Sequence, residues 1–289
     1  MTSSVAHRAR VPGASSGRVW RKLRRHPVGL IAFAVLILLY LTALVGPLVY
    51  TLSPEATDPL NVLAPPSALH PLGTDELGRD IASRLLEGGR ISLSVGLLAM
   101  IVGLVLGLVV GGTAGYFRGR VEGVLMRLVD VFMAIPSFFL LLVIVTVFGS
   151  HPLTIIVTVG LGFWAQMARI VFAEFSAYRK RDFVEAMHAL GASHLRIMVR
   201  HILPQVAPQA IVLATLGVGW AILSEAALSY IGLGIQPPLA SWGNMLQNAQ
   251  AYLYINPMLA VYPGLCIAIA VLAFNLSGNA LRDILDPRS

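Results

Sequence analysis

His188, His194 and His201 are the side chains whose type and proximity come closest to metal-binding chemistry. Spaced six and seven residues apart, they scatter around a helix instead of converging on one ion, so no metal site is expected from them. A phosphate-binding Walker A loop needs Gly-Lys-Ser/Thr. The two lysines, Lys22 and Lys180, each follow an arginine, so the chain has no P-loop for ATP. No nucleophile–base set is evident, and neither catalysis nor a cofactor held by this chain is expected. Glu225 is different in kind. It lies inside a long apolar run flanked by Ser224 and Ala226. A carboxylate at that depth in a bilayer costs about 2.5–3.5 kcal/mol on insertion scales, so it must face protein or water.

The elements that hold these residues follow from composition. Of 289 residues, 56% are hydrophobic and 12% charged; a soluble domain carries about 25% charged residues. Six apolar segments, 28–52, 92–116, 129–149, 153–173, 206–231 and 257–278, are each long enough, or nearly so, to cross about 30 Å of hydrocarbon. Backbone groups find no water there, so the spans must be helices and the fold class is all-α, polytopic membrane protein. The net charge of +7 does not indicate nucleic acid, because the basic residues flank the apolar runs as orientation signals do. Cys266 is the single cysteine, so no intramolecular disulfide can form.

Those flanking charges set a direction. The tail holds Arg8, Arg10, Arg18, Arg21, Lys22, Arg24 and Arg25 and reads as an uncleaved signal-anchor's cytoplasmic side, without structure of its own. Alternation then puts Arg118, Arg120, Arg127, Arg179, Lys180, Arg181, Arg196, Arg200, Arg282 and Arg288 inside. The loop around 232–256 has no Lys or Arg, and acidic residues outnumber basic ones in the loop at 53–91. Both termini are expected in the cytoplasm. Residues 1–27 are then a basic tail, 28–52 the first span, 53–91 an extracytoplasmic loop, and 92–289 a five-helix core with a cytoplasmic loop at 174–205. In the 53–91 loop, Ile81, Leu85 and Leu86 share one helical face, which predicts an amphipathic helix on the outer leaflet.

The inner loop reads Phe183-Val-Glu-Ala-Met-His-Ala-Leu-Gly191-Ala-Ser and closes on His201-Ile-Leu-Pro204. Two short helices meeting at Gly191 are expected, with glycine permitting a left-handed turn and Pro204 ending the second helix. The order Glu185, Ala186, Gly191, Leu203, Pro204 resembles the EAA loop of ABC importer permeases. Met187 departs from the usual second Ala, and His201 from the usual Ile. The resemblance extends to His70-Pro-Leu-Gly-Thr-Asp-Glu-Leu-Gly-Arg-Asp80, Asp130-Val-Phe-Met-Ala-Ile-Pro136, Glu225-Ala-Ala-Leu-Ser-Tyr-Ile-Gly-Leu-Gly-Ile-Gln-Pro-Pro238, Ser241-Trp-Gly-Asn-Met245 and the ending Ala273 to Pro287. These motifs are similar to the "C" permease subunit of dipeptide, oligopeptide and nickel importers, over roughly residues 20–288.

The resemblance implies a type I ABC importer permease fold in the bacterial inner membrane. Its implied partners are a homologous second permease, two ATPase subunits that bind ATP and Mg, an extracytoplasmic solute-binding protein and membrane lipid. Short peptides are the leading substrate, and nickel or a nickel chelate the second. Glu225, Ser224 and Asn275 become candidates for the translocation path or its gate; alternatively, Glu225 sits near the outer interface, hydrogen-bonded to Ser or backbone. Gly103, Gly107, Gly111 and Gly115 recur every fourth residue and predict close helix packing, within the subunit or against the second permease. Arg127 and Asp130 are expected to form an (i, i+3) ion pair. Two other classes remain open at this point, an ion-coupled secondary transporter and a membrane scaffold. Six spans without evident duplication fit half a transporter better than the first, and a docking loop would be superfluous in the second.

Overall fold

The computed structural model of the chain describes residues 26–285. Most of the basic tail, and Arg288 with it, therefore lies outside the described residues. Helix α1 is Pro27–Val49 and opens on a proline, whose missing N–H costs nothing in a first turn. Its buried residues Gly29, Ala32, Leu36 and Ala43 form one stripe, while Ile31, Leu38, Leu44 and Leu48 on the other faces stay exposed. That distribution suits a span with lipid on one side and protein on the other.

Helix α2 is Ile81–Phe117, capped at its start by Asp80, whose carboxylate accepts from the Ser83 N–H at 2.7 Å. The sequence suggests a separate amphipathic helix before the second span. Instead, residues 81–90 are the first turns of that span, one unbroken helix of 37 residues. No Pro or helix-ending turn lies between Ile81 and Phe117 to divide it. Helices α3 (Gly119–Ala134) and α4 (Ser137–Phe148) meet at an angle of 89°. Pro136 explains the break: it drives Ile135 into extended geometry (φ −89°, ψ 125°) and supplies no N–H to continue the ladder. The expected third span at 129–149 is thus bent and starts earlier in the chain.

Helix α5 is Pro152–Arg179, α6 is Asp182–Ala189, α7 is Leu203–Tyr230, α8 is Trp242–Ala249 and α9 is Met258–Leu285. Five helical stretches are long and apolar enough to cross a bilayer, and the bent α3–α4 pair completes six if taken as one span. Among the described residues there is no strand, only an isolated bridge between Thr74 and Asp80.

Packing is tightest between α2 and α5. A Cβ on Gly111 would lie 2.2 Å from the Ala168 carbonyl oxygen, and one on Gly115 2.7 Å from that of Phe172. On Gly107 it would strike Met167, and on Gly103 it would meet the Gly160 carbonyl at 3.2 Å. The four-residue glycine spacing therefore brings two helices of this chain into backbone contact. Around this pair, α7 and α9 close the core with Ile222, Leu228, Ala270 and Phe274, and α1 lies against α9 and α2.

Candidate functional site

The loop between α5 and α7 is built as a bent knob. Helix α6 carries Asp182 and Glu185 in its first turn, where carboxylates complement the helix dipole. Val184 is 1% exposed and anchors α6 in a cluster with Tyr116, Phe175, Ile197, Ile202 and Val206. Glu185 and Ala186 lie on the exposed side. The helix ends with Gly191 N–H donating to the His188 carbonyl at 2.9 Å and Ala192 N–H to that of Met187 at 3.0 Å. This is a Schellman stop, and it requires the left-handed φ of +74° found at Gly191. A Cβ there would meet nothing within 4 Å, while Leu190 (78%) and Leu195 (70%) stand exposed beside it.

Three side chains tie the knob to the end of α2. His188 Nδ1 lies 3.0 Å from the Val184 carbonyl and donates to it, leaving Nε2 to accept from the Tyr116 hydroxyl at 3.1 Å. The Tyr116 oxygen then accepts from His194 Nδ1 at 2.9 Å. The Arg179 guanidinium stands 5.9 Å from the Tyr116 ring centre. His201 stays outside this relay, and among the described residues no three or more metal ligands converge.

Beyond His194 the chain winds as a π-helical turn over Ile197–Ile202 and runs directly into α7. Pro204 therefore does not end a helix, contrary to its reading from sequence. The Leu203 N–H reaches back five residues to the Met198 carbonyl, and this wider turn makes room for the proline ring that a regular turn would force against its fourth-preceding carbonyl. Leu203 packs into the Val184 cluster and Pro204 is exposed.

At the other end of the bundle Glu225 is fully buried. Oε2 accepts from Ser92 Oγ at 3.0 Å and Oε1 from Ser229 Oγ at 2.7 Å. Ser92 Oγ in turn accepts from Trp242 N–H at 3.2 Å, and Ser229 Oγ from Ile235 N–H at 2.9 Å. The carboxylate thus joins α2, α7 and the 231–242 turn. Ser241 and Asn244 complete a capping box on α8, and the Trp242 indole donates to the Leu85 carbonyl at 3.1 Å. Gly88 and Gly89 give the indole its seat, since Cβ atoms there would lie 3.2 and 3.0 Å from it. Ser224 is buried beside Glu225. Asn275 gives its amide to the Val271 carbonyl at 2.8 Å, and no hydrogen bond links it to Glu225 among the described residues.

A second polar network closes the same end. Asp75 accepts from Arg79 Nε at 2.7 Å and lies 3.3 Å from Arg84 Nε, with Arg84 only 1% exposed. His70 Nδ1 sits 3.0 Å from Asp80. Asn61 and the Leu60 N–H both donate to Asp58 and hold its carboxyl below the usual carboxylate range. These contacts fold residues 58–80 together, and Leu63 and Leu72 pack with Ile81, Met245 and Leu259 to make them a cap over the bundle end.

Asp130 does not pair with Arg127. It pairs with Arg169 of α5, because α3 packs its Val129 and Phe132 face on Trp164 and thereby sets Asp130 beside the neighbouring helix. Sequence reading missed Tyr116, Ser92 and Arg169. The first two carry no signal of their own, but Arg169 is a charge inside an apolar run, the same signal that marks Glu225.

Comparison with known proteins agrees with this architecture. Residues 103–289 match the family described as binding-protein-dependent transport system inner membrane component, and residues 16–66 match the N-terminal TM domain of oligopeptide transport permease C. The chain is 42% identical to the nickel transport system permease protein NikC of Escherichia coli (strain K12), over 89% of this chain and 93% of the other. It is 39% identical to the glutathione transport system permease protein GsiD of Escherichia coli O6:K15:H31 (strain 536 / UPEC), over 93% and 89%. The fold resembles a chain of the MetNI methionine ABC transporter in an inward-facing conformation, with TM-score 0.57 and 20% identity over 70% of this chain and 96% of that one. The chain belongs to the binding-protein-dependent transport system inner membrane components, the permease subunits of ABC importers, with the type I permease fold.

Proposed function

We propose that this permease forms half of the translocation path of an inner-membrane importer for short peptides. It pairs with a homologous second permease, receives substrate from an extracytoplasmic binding protein and is driven by two ATPases docked on the 182–202 loop. ATP and Mg are bound by those ATPases. The observation that carries the docking role is the exposed Gly191 turn, with open space where a side chain would stand and Leu190 and Leu195 presented beside it. A knob of this shape fits a groove on another protein, and a differential fit in two ATPase states supplies the free energy to move the helices. Anchoring through Tyr116 gives that motion a route into α2.

The flanking charges support an orientation with both termini and the Gly191 loop in the cytoplasm and the Asp75–Arg84 cap outside. In a Cys266→Ala background, cysteine at Ser67 should react with an impermeant thiol reagent in intact cells, and cysteine at Ser193 only after permeabilisation. Labelling of Ser193→Cys in intact cells would overturn both the orientation and the docking role.

Peptide remains the first substrate, supported by the similarity to a permease for glutathione, itself a short peptide, and by the oligopeptide-type N-terminal segment. Nickel or a nickel chelate is the second reading, favoured by the 42% identity to a nickel permease. Uptake of labelled di- to pentapeptides and of nickel, in cells lacking and then regaining this gene, separates them. Loss of nickel accumulation with intact peptide uptake would replace the first reading by the second.

A further inference from the structure

A narrow crevice of about 470 Å³ runs along α1 at the capped end of the bundle. Leu39, Ala43, Gly46 and Val49 of α1 form one wall, and Ala82, Leu86 and Gly89 of α2 the other. Trp242 of α8 and Cys266 of α9 border it as well, and Pro71 and Leu72 reach it from the cap. The far end of α1 is drawn against α9, where a Cβ on Gly29 would lie 2.5 Å from that of Ala280. At the capped end Ala43 and Ala82 bring too little bulk to close the gap between α1 and α2. Thr42 and Val49 are exposed at its rim, so the crevice opens sideways, toward the medium around the spans.

No charged residue lines this space, and its stronger polar donors are spent. Thr42 Oγ donates to the Leu39 carbonyl at 2.9 Å, the Tyr50 hydroxyl to that of Leu69 at 3.4 Å, and the Trp242 indole to that of Leu85 at 3.1 Å. The Cys266 thiol is only a weak donor. Buried water needs about two to four polar partners, and a peptide or an ion needs charge or hydrogen bonds, so neither is held here. An empty hollow would leave its lining without dispersion contacts on one side. The occupant is therefore hydrocarbon, and the dimensions decide which kind. From Leu39 to Val49 is about 15 Å along the helix, the depth of one leaflet in a hydrocarbon core about 30 Å thick. The volume spread over that length gives a mean cross-section of about 30 Å², whereas a helix about 10 Å across takes about 80 Å². One extended acyl chain fits this space, and a helix of another subunit does not.

We propose that the crevice is a lipid site, in which one acyl chain of a phospholipid from the leaflet at the capped end completes the packing of α1 on α2 and α9. In the orientation proposed above this is the outer leaflet. Lipid tails are as apolar as leucine, so burial alone does not hold the chain; van der Waals contact with protein on several sides does.

The test uses the assembled importer complex in vesicles of phosphatidylethanolamine and phosphatidylglycerol. These are doped with a phosphatidylcholine that carries a photoreactive diazirine midway along one acyl chain. After illumination, Ala43, Gly46, Ala82, Leu86 and Cys266 should carry more label than Ile31, Leu38 and Leu48, which are exposed on α1. A chain enclosed by protein has little neighbouring lipid to react with, so its carbene reacts with protein instead. Thr42→Trp combined with Ala82→Phe fills the crevice from both walls and should abolish that excess. Leu38→Trp, on the exposed face of α1, should leave it unchanged.

Label spread evenly over the enclosed and the exposed residues would make the crevice ordinary bilayer contact and overturn the site. Absence of label from the crevice would mean that the second permease covers it, and would overturn the site too. So would an excess that survives the double variant. If that variant fails to assemble, the distribution of label on the wild-type complex still decides. None of these outcomes touches the permease assignment or its substrate.

Discussion

The Tyr116 hydroxyl lies 2.9 Å from His194 Nδ1, joining residues 78 apart in sequence, and 3.1 Å from His188 Nε2. Tyr116 is nearly at the end of α2, and the two histidines flank the Gly191 turn, so one phenol holds both arms of the bent loop. Tyr116→Phe keeps the ring packing and removes two hydrogen bonds worth about 0.5–1.5 kcal/mol each. The expected result is faster amide exchange across residues 182–196, with the core of α2 and α5 unchanged, and weaker stimulation of ATP hydrolysis in the complex. Unchanged exchange in that segment would show that Val184 and its apolar neighbours alone fix the loop.

Two glycines separate close packing from helix propensity. Gly111 and Gly123 both lie within helices, but a Cβ on Gly111 falls 2.2 Å from the Ala168 carbonyl oxygen and one on Gly123 meets nothing within 4 Å. A carbonyl of a packed helix cannot rotate away as a side-chain tip can. Gly111→Ala should destabilise by about 3 kcal/mol or force α2 and α5 apart, whereas Gly123→Ala should be neutral or stabilising by about 0.5–1 kcal/mol. Thermal unfolding in detergent reads both. Equal behaviour of the two variants would contradict the backbone contact between α2 and α5.

The Glu225 junction should tolerate an isostere and fail with an apolar residue. Glu225→Leu leaves the hydroxyls of Ser92 and Ser229 without their acceptor, at about 1–3 kcal/mol for each stranded group. Glu225→Gln keeps the shape and one acceptor. A clear fall in unfolding temperature is expected for the leucine variant and a smaller one for the glutamine variant. Full stability of Glu225→Leu would show that the 231–242 turn is held without the carboxylate.

Much of this arrangement was legible in the residues themselves. Apolar runs locate the spans because a bilayer admits little else, and Gly191 marks its own turn because only glycine enters left-handed backbone freely. The bend at Ile135 was announced by Pro136, yet the apolar run across it masked the break. Asp130 shows the limit of local reasoning. Arg127 is three residues away and Arg169 is 39 away, so only the packing of α3 on α5 decides between them. The same holds for Tyr116 and Ser92, whose partners come from other helices and whose types are common in any membrane chain.

The coupling role of the loop is tested most directly by stimulated ATP hydrolysis in the assembled complex with Gly191→Trp or Glu185→Lys. Gly191→Trp forces a bulky side chain into left-handed backbone, at about 1–2 kcal/mol, and fills the open space beside the turn. Glu185→Lys reverses a charge on the exposed face of α6. Each variant should still insert in the membrane. Substrate-loaded binding protein should then raise hydrolysis in the wild-type complex and leave it at the unstimulated level in both variants. Normal stimulation together with normal uptake in both would contradict coupling through this loop.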